Sequence, residues 1–246
     1  MKKVFYIIFF IVITLNGFNQ TIAEKYFATG FGKHQNKDYN GAIQDYTIAI
    51  NNDKTNPVIY FNRGLSEYLA NYYFKAERDF YQAIRLNPNY IKAYLYRGFL
   101  NLDLNKYEKA IYDFEQVLKK EPKNSEAWFN QGYAYFCLEK NETAIQCYEQ
   151  ALIHDSDNPE IFFRRAVAYY KLHYYKDALD DFDKAIYLDS RFVDAYYNRA
   201  ICNYKLQNRD AACKDWKTAE KLGNRRAFDM RLKYCVDEDK KNPKVN

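Results

Sequence analysis

The sequence is poor in the residues and motifs that support catalysis or metal binding. It has three histidines, and none of its five cysteines forms a Cys-x-x-Cys pair. Because protein metal sites need clustered ligands, this spacing predicts no metal site. A glycine-rich phosphate loop and a Gly-x-Ser-x-Gly elbow are also absent from the sequence. We therefore predict a protein that is not an enzyme and has no cofactor.

Long apolar runs are scarce as well. The run from Val4 to Leu15 follows two lysines and has twelve residues. That is too short to cross a bilayer but suits the core of a secretory signal peptide, and small residues predict cleavage after Ala23. We therefore expect residues 1–23 to be a signal peptide that is removed on export. The mature chain should then have no membrane span and should be located in the bacterial periplasm. The alternative is an uncleaved N-terminal segment that tethers the chain to a membrane.

The charge does not favour a nucleic-acid partner. The net charge of +5 is small, although 26 Tyr and 18 Phe interleaved with basic residues could stack single-stranded nucleic acid. Ten of these rings and both tryptophans recur at two fixed positions that are typical of a core, so we predict no nucleic-acid partner. The basic excess between Arg199 and Lys233 is interpreted as a solvated face, and a contact with an anionic surface is the alternative.

The chain does contain a strict repeat of 34 residues. Positions 4 and 24 are always aromatic, position 8 is Gly or Ala, and position 20 is always Ala. A period of this length predicts one helical hairpin copied along the chain. Counted from Ala23 as position 1, the six blocks are 23–56, 57–90, 91–124, 125–158, 159–192 and 193–226.

The residue types at these positions fit two packed helices. Apolar residues at positions 4, 8 and 12 share one face of a first helix, and those at 20, 24 and 27 share one face of a second. Small residues at 8 and 20 allow close approach, and the rings at 4 and 24 fill the space beside them. Polar residues near positions 15–17 form the turn, and Pro88 and Pro122 follow the second helix.

This pattern resembles the tetratricopeptide repeat, and the chain is identified as an exported bacterial member of that family. The resemblance implies an all-α fold, a right-handed α-solenoid of six antiparallel helix hairpins whose first helices line a concave face. Residues 24–226 form the repeats, and residues 227–246 form a capping helix and a disordered tail.

The end of the repeat array resembles the end of bacterial exported repeat proteins in which two cysteines recur together. The resemblance implies a disulfide between Cys213 and Cys235, which an exported protein can form. The alternative is that Cys213 is a small core residue.

An Arg at position 7 occurs together with an Asp at position 23. Block 4 loses both at once, with Gln131 and Cys147 in their places, whereas block 1 breaks the rule with Thr29 and Asp45. Joint presence and absence predicts a structural ion pair between the two helices of a hairpin. The predicted pairs are Arg63 with Asp79, Arg97 with Asp113, Arg165 with Asp181, and Arg199 with Asp215.

The resemblance and helical periodicity together place positions 2, 5, 6, 9, 12 and 13 on the concave face. Apolar side chains with spaced amides and basic groups could hold an extended peptide or a helix there. The alternative is that they only pack neighbouring first helices together. The candidate groove residues are Phe61, Asn62, Leu65, Lys92, Phe99, Phe129, Asn130, Tyr133, Phe163, Arg164, Tyr197 and Asn198.

We therefore predict an interaction scaffold that binds a protein or peptide partner in its concave groove. One alternative is a structural subunit of a larger cell-envelope assembly. Another is an accessory protein that binds cell-wall glycan through the basic C-terminal end. The oligomeric state is left open.

Overall fold

The computed structural model describes residues 21–235, and these residues form helices and turns without a strand. Most of the predicted signal peptide and the predicted tail after Val236 lie outside the described residues. Within that range no helix is both long and apolar enough to span a bilayer. The helices are α1 (21–35), α2 (Tyr39–Asn52), α3 (Pro57–Leu69), α4 (Tyr73–Leu86), α5 (Ile91–Asp103), α6 (Tyr107–Lys120), α7 (Ser125–Cys137), α8 (Asn141–His154), α9 (Pro159–Lys171), α10 (Tyr175–Leu188), α11 (Val193–Lys205), α12 (Arg209–Lys221) and α13 (Arg225–Tyr234).

The helices pack in pairs within two compact units, of which the first ends at Lys120 and the second begins at Glu121. In the first unit α3 packs on α4 and α5 on α6, while ring contacts join α1 to α2. In the second unit α7 packs on α8, α9 on α10, and α11 on α12, and α13 covers α12 as the predicted capping helix. The predicted all-α fold of antiparallel helix hairpins is confirmed.

The core of each hairpin follows the predicted pattern of small and large residues. The six alanines at position 20 and the six rings at position 24 are fully buried. A Cβ atom added to Gly98 would lie 2.7 Å from Cε1 of Phe114, which is closer than two carbon atoms can pack. Position 8 is therefore small because the ring at position 24 occupies the space that a larger side chain would need.

Each hairpin turn contains one residue in the left-handed conformation, always at position 15. The amide after it closes the first helix, as when Tyr72 N donates to the carbonyl of Glu67 at 2.7 Å. No simple sequence rule marks this position, because its residues are of five types and none is glycine. With φ between 56° and 65°, they are Lys37, Asn71, Asn105, Glu139, His173 and Gln207.

Asparagine side chains start several of the first helices at position 34 of the preceding block. Oδ1 of Asn56 accepts from the backbone N–H of Val58 at 2.9 Å, and Asn124 caps α7 in the same way through Ala127. These caps satisfy backbone donors that the first helical turn leaves unpaired. Asparagine caps thus mark the starts of α3, α7 and α9, whereas α5 and α11 begin without a side-chain cap.

Candidate functional site

The first helices of neighbouring hairpins contact one another and form one surface in each unit, which we call the first-helix face. In the second unit it consists of α7, α9 and α11, and in the first unit α3 and α5 contribute to it. Each candidate groove residue lies on one of these five helices. The predicted residues are therefore grouped by unit.

Two of the predicted groove rings are core residues. Phe61 and Phe163 are only 6% and 8% exposed. The Phe61 ring lies 5.1 Å from the ring of Tyr90 and 5.6 Å from that of Tyr96, and Phe163 lies 4.9 Å from Phe192. Because each ring fills the space between its own hairpin and the next, the prediction that both rings contact a partner is corrected.

The other predicted apolar side chains reach the surface in part. Each of the rings of Phe99 and Phe129 rests on the buried ring at position 24 of its own repeat, at 5.8 Å from Phe114 and 5.9 Å from Tyr148. Their outer edges remain accessible to a partner. The half-buried members are Leu65, Phe99, Phe129, Tyr133 and Tyr197, while Lys92 is exposed.

Three asparagines at position 6 share one side-chain geometry. Nδ2 of Asn62, Asn130 and Asn198 donates to the carbonyl four residues earlier at 2.8 Å in each case. Since a carbonyl oxygen can only accept, this contact fixes which end of each amide group faces the helix. Within the described residues nothing donates to the three Oδ1 atoms, so each can accept an N–H from a ligand.

Arg164 holds the equivalent position on α9, between Asn130 and Asn198. Its guanidinium lies 5.3 Å from the centroid of the Tyr133 ring, and Nε pairs with Glu160 at 2.7 Å. A basic group held over a ring therefore stands between two amides on the first-helix face of the second unit.

The four predicted Arg–Asp pairs are brought together, each through two hydrogen bonds from Nε and Nη2. Their shortest N–O distances are 2.6 or 2.7 Å, and each carboxylate is nearly buried. In each pair the guanidinium also lies within 6 Å of the position 4 ring, for example 5.5 Å from the Tyr94 ring for Arg97. The pairs join the two helices of one hairpin and hold no free catalytic group.

The two exceptional blocks replace the ion pair in different ways. Sγ of Cys147 lies 3.6 Å from Oε1 of Gln131, which is a neutral contact at the same place. In block 1 the carboxylate of Asp45 binds Lys33 at 2.8 Å. Sequence reasoning missed this pair because a lysine at position 11 occurs in block 1 alone and has no counterpart in the other blocks.

Hydrogen bonding favours the charged form of the arginines. Burial alone would lower the pKa of Arg97, but the hydrogen bonds and the negative charge of Asp113 outweigh burial and raise it. The same balance raises the pKa of Arg165 beside Asp181. These arginines are therefore permanent cations with a structural role.

Glu67 is a buried carboxyl group that the sequence analysis did not single out. It is 3% exposed, and its Oε2 has no hydrogen-bond partner among the described residues. Burial raises its pKa to about 7, and the nearby charge of Asp79 adds to this effect. The folded chain therefore holds a proton on Glu67 at pH values where an unfolded chain has lost it.

We expect the free energy of unfolding to fall as the pH rises from about 4.5 to about 7, because only the unfolded state releases the Glu67 proton in this range. Glu67→Gln removes this dependence, and at pH 8 the variant should be more stable than wild type by about 3 kcal/mol. Urea unfolding at several pH values measures both, with the exposed Glu126→Gln as control. Parallel pH profiles for wild type and Glu67→Gln would contradict the assignment.

The last helix is fixed by a covalent bond and by side chains. Cys213 on α12 and Cys235 after α13 form a disulfide, with their Cα atoms 5.8 Å apart. The ring of Tyr234 lies 5.8 Å from that of Trp216, and Arg231 pairs with Glu220 at 2.6 Å. Cys137, Cys147 and Cys202 are free thiols. Across residues 21–235 no group of three His, Cys, Asp or Glu residues is arranged to hold a metal ion.

Comparisons with protein families identify the repeat. Models described as "Tetratricopeptide repeat" match residues 91–124 and 159–192, residues 114–146 and residues 194–221, and one described as "TPR repeat" matches residues 132–172. Together they cover more than half of the chain. No curated protein sequence matches the chain.

Solved structures share the fold at low sequence identity. Pseudomonas aeruginosa PilF is 15% identical, with a TM-score of 0.72 over 87% of this chain and 99% of that one. YrrB, described as "a TPR protein with an unusual peptide-binding site", is 21% identical, with a TM-score of 0.67 over 76% and 97%. MamA from Desulfovibrio magneticus RS-1 is 20% identical, with a TM-score of 0.66 over 68% and 95%.

Proposed function

Because this chain belongs to the tetratricopeptide repeat family, we propose that it is a protein-interaction scaffold whose first-helix face holds an extended peptide segment of a partner. The fold is one that binds proteins and peptides, and the similar YrrB is described as having a peptide-binding site. The second unit is the better candidate, since its three first helices contact one another in sequence order. Such binding requires no catalytic group.

The observation that carries the proposal is the fixed orientation of Asn130 and Asn198. Both amides donate inward to their own helix, so both Oδ1 atoms are left to accept from a ligand. The backbone of an extended peptide carries N–H donors that need such acceptors once water is excluded. Two acceptors on α7 and α11 can therefore hold one peptide backbone across the intervening helix α9.

Rings and a cation surround these amides. Phe129 and Tyr197 are half-buried on the same face and can pack against the side chains of a bound segment. Arg164 can donate to a backbone carbonyl or a carboxylate of the segment, because its pair with Glu160 is half-exposed and can be exchanged. The face thus combines apolar area, two acceptors and one cationic donor.

We expect Asn130→Ala/Asn198→Ala to weaken capture of the partner about fivefold to a hundredfold, because each lost peptide hydrogen bond contributes about 0.5–1.5 kcal/mol. Alanine is tolerated at this position, since block 1 has Ala28 there. The measurement is a quantitative pull-down from an extract of the source cells, after circular dichroism shows that the variants fold.

Asn62→Ala is the matched control, because Asn62 has the same geometry in the first unit. It should capture the partner as wild type does. If the double variant also retains the partner at the wild-type level, the first-helix face of the second unit is not the binding surface.

We also propose that the chain acts outside the cytoplasm. The basic and apolar N-terminal run supports this, although residues 1–20 lie outside the described part. The Cys213–Cys235 disulfide supports it independently, because such bonds persist in oxidising compartments such as the bacterial periplasm.

A further inference from the structure

A cleft of about 660 Å³ opens in the first unit between the second helices α4 and α6, with α5 as its floor. Its volume is in the range of ligand-binding clefts. None of the candidate groove residues lines it. It is therefore a separate surface, which we call the outer cleft.

Three aromatic rings form the rim of the outer cleft. Phe74 is 82% exposed, Tyr81 is 59% exposed and Tyr112 is 54% exposed. Exposed rings collected on one surface are typical of binding sites, where aromatic residues contribute much of the affinity.

The hairpin fold does not require these rings. In the second unit, the residues at the same repeat positions are Glu142, Glu149 and Asp180. The helices there pack in the same hairpin arrangement. The aromatic rim is therefore a local feature of blocks 2 and 3.

The floor contains a hydrogen-bond donor without an acceptor. Nε and Nη2 of Arg97 bind Asp113 at 3.0 and 2.6 Å, whereas Nη1 has no acceptor among the described residues. Arg97 is largely buried, with 15% of its side chain exposed. Nη1 is not among the fully buried atoms that lack a partner in the described residues, so it is accessible from the cleft and can donate to an acceptor on a ligand.

In two other arginines of the four Arg–Asp pairs, Nη1 has the acceptor that is missing for Arg97. Nη1 of Arg199 donates to Oδ1 of Asp183 at 2.6 Å, and Nη1 of Arg63 donates to Oγ1 of Thr47 at 3.1 Å. Both acceptors occupy position 25 of the preceding repeat, where Tyr81 stands in front of Arg97. Tyr81 thus replaces an intramolecular acceptor with a ring on the rim of the cleft.

Asn101 adds an acceptor to the same floor. Its Nδ2 donates to Oδ2 of Asp113 at 3.0 Å, while its buried Oδ1 has no hydrogen-bond partner among the described residues. The floor therefore leaves one donor and one acceptor unpaired. The backbone carbonyls of a peptide segment are acceptors that can match the donor Nη1.

The charges in the lower part of the outer cleft are compensated. Asp113 neutralises Arg97, and Lys106 binds Glu77 at 2.8 Å, with Lys109 at 3.9 Å from the same carboxylate. Arg78 and Glu108 also line the cleft, so its charged side chains are three acidic and three basic, and they leave no net charge to attract a phosphate group or a strongly basic segment. This favours an uncharged ligand.

We propose that the outer cleft binds an uncharged peptide segment of a partner protein. A backbone carbonyl of the segment accepts from Nη1 of Arg97, and an apolar side chain packs against Phe74, Tyr81 and Tyr112. Since the first-helix face lies elsewhere, the scaffold can hold two segments at the same time.

The test is subtractive panning of a phage-displayed random dodecapeptide library. Phages are first depleted on the full-length Tyr81→Asp variant and then selected on the wild-type full chain. Tyr81→Asp gives Arg97 the carboxylate that Asp183 gives Arg199, and it removes one rim ring. We expect selected peptides to be uncharged at their centre and to bind Tyr81→Asp at least about tenfold more weakly in fluorescence anisotropy.

Two further variants distinguish binding in the cleft from nonspecific binding to exposed aromatic rings. Phe74→Ser removes the most exposed ring of the rim and should weaken binding of the same peptides at least about fivefold. Tyr187→Ser removes an 80% exposed ring on α10, outside the cleft, and should leave their binding within about twofold of wild type. Thermal unfolding checks that the three variants fold.

Other outcomes would overturn the proposal. Peptides that bind Phe74→Ser as wild type, or no enrichment at all, would show that the cleft does not hold peptides. Binding of chitohexaose or cellohexaose that is lost in Phe74→Ser, without peptide enrichment, would assign the cleft to a sugar. If only Asn130→Ala/Asn198→Ala weakens binding of the selected peptides, their binding site is the first-helix face.

Discussion

Replacing Asp181 with leucine is expected to lower the free energy of unfolding by about 3–5 kcal/mol, because Arg165 is then a buried charge without its partner. Arg165 has 18% of its side chain exposed, and the carboxylate of Asp181 has 8%. The carboxylate accepts two hydrogen bonds of 2.7 Å from Nε and Nη2. Among the described residues no other side chain accepts a hydrogen bond from this guanidinium, so the loss is not compensated.

The double variant Arg165→Leu/Asp181→Leu should recover much of this loss. It removes both charges and leaves apolar side chains between α9 and α10, where the position 4 ring of Phe162 already lies near the guanidinium. Replacing a buried pair as a whole is often close to neutral. The coupling energy from the double-mutant cycle should therefore be about 2–3 kcal/mol.

The neighbouring pair on α9 is a matched control. Arg164 and Glu160 are also joined at 2.7 Å, but 37% and 40% of their side chains are exposed. Glu160→Gln should cost less than about 1 kcal/mol, because water screens and solvates the remaining charge. Urea unfolding of the five chains measures these differences. If Arg165→Leu and Asp181→Leu have additive costs, the pair does not act as a unit.

The pairing of Arg165 with Asp181 could be predicted because the repeat supplies six internal comparisons. Two residues that are present together and absent together report a contact even without other sequences. The contact between Lys33 and Asp45 could not be found in this way, because it occurs in one block and has no internal comparison. Repetition thus predicts the shared interactions and misses the local ones.

Periodicity was equally limited at the first-helix face. It assigned Phe61 and Phe129 to the same face, and both lie on first helices as expected. It could not show that Tyr90 and Tyr96 cover Phe61, because burial depends on how closely the next hairpin approaches. The outer cleft could not be predicted either. Tyr81 lies at position 25, which the repeat pattern assigns to solvent, so an aromatic residue there gave no sign of a cleft.

The position 15 turn shows a third limit. The left-handed backbone there recurs in each hairpin, but side chains as different as Lys37 and His173 adopt it. The conformation is imposed by the closing hydrogen bond to the carbonyl at position 11 and by packing of the two helices. A rule based on residue type therefore finds the turn region and misses the residue that makes it.

Removing the Cys213–Cys235 disulfide is expected to lower the free energy of unfolding of the C-terminal end by about 2–4 kcal/mol, because the bond limits the unfolded chain across 22 residues. The capping helix α13 is ten residues long and buries only Ala227 within its own span, so its packing alone is weak. Its loss would uncover Trp216, which is fully buried beside Tyr234.

Trp216 makes this effect measurable, because the chain has two tryptophans and only Trp216 lies near α13. When wild type is unfolded in urea and followed by tryptophan fluorescence, a reductant should lower the urea concentration at the midpoint of the transition. The midpoint of Cys213→Ser/Cys235→Ser should be equally low with and without reductant. Cys202→Ser, which removes a free buried thiol, should leave the response to reductant intact. If both Cys213 and Cys235 are alkylated in unreduced protein, the bond is absent and α13 is held only by contacts such as that between Arg231 and Glu220.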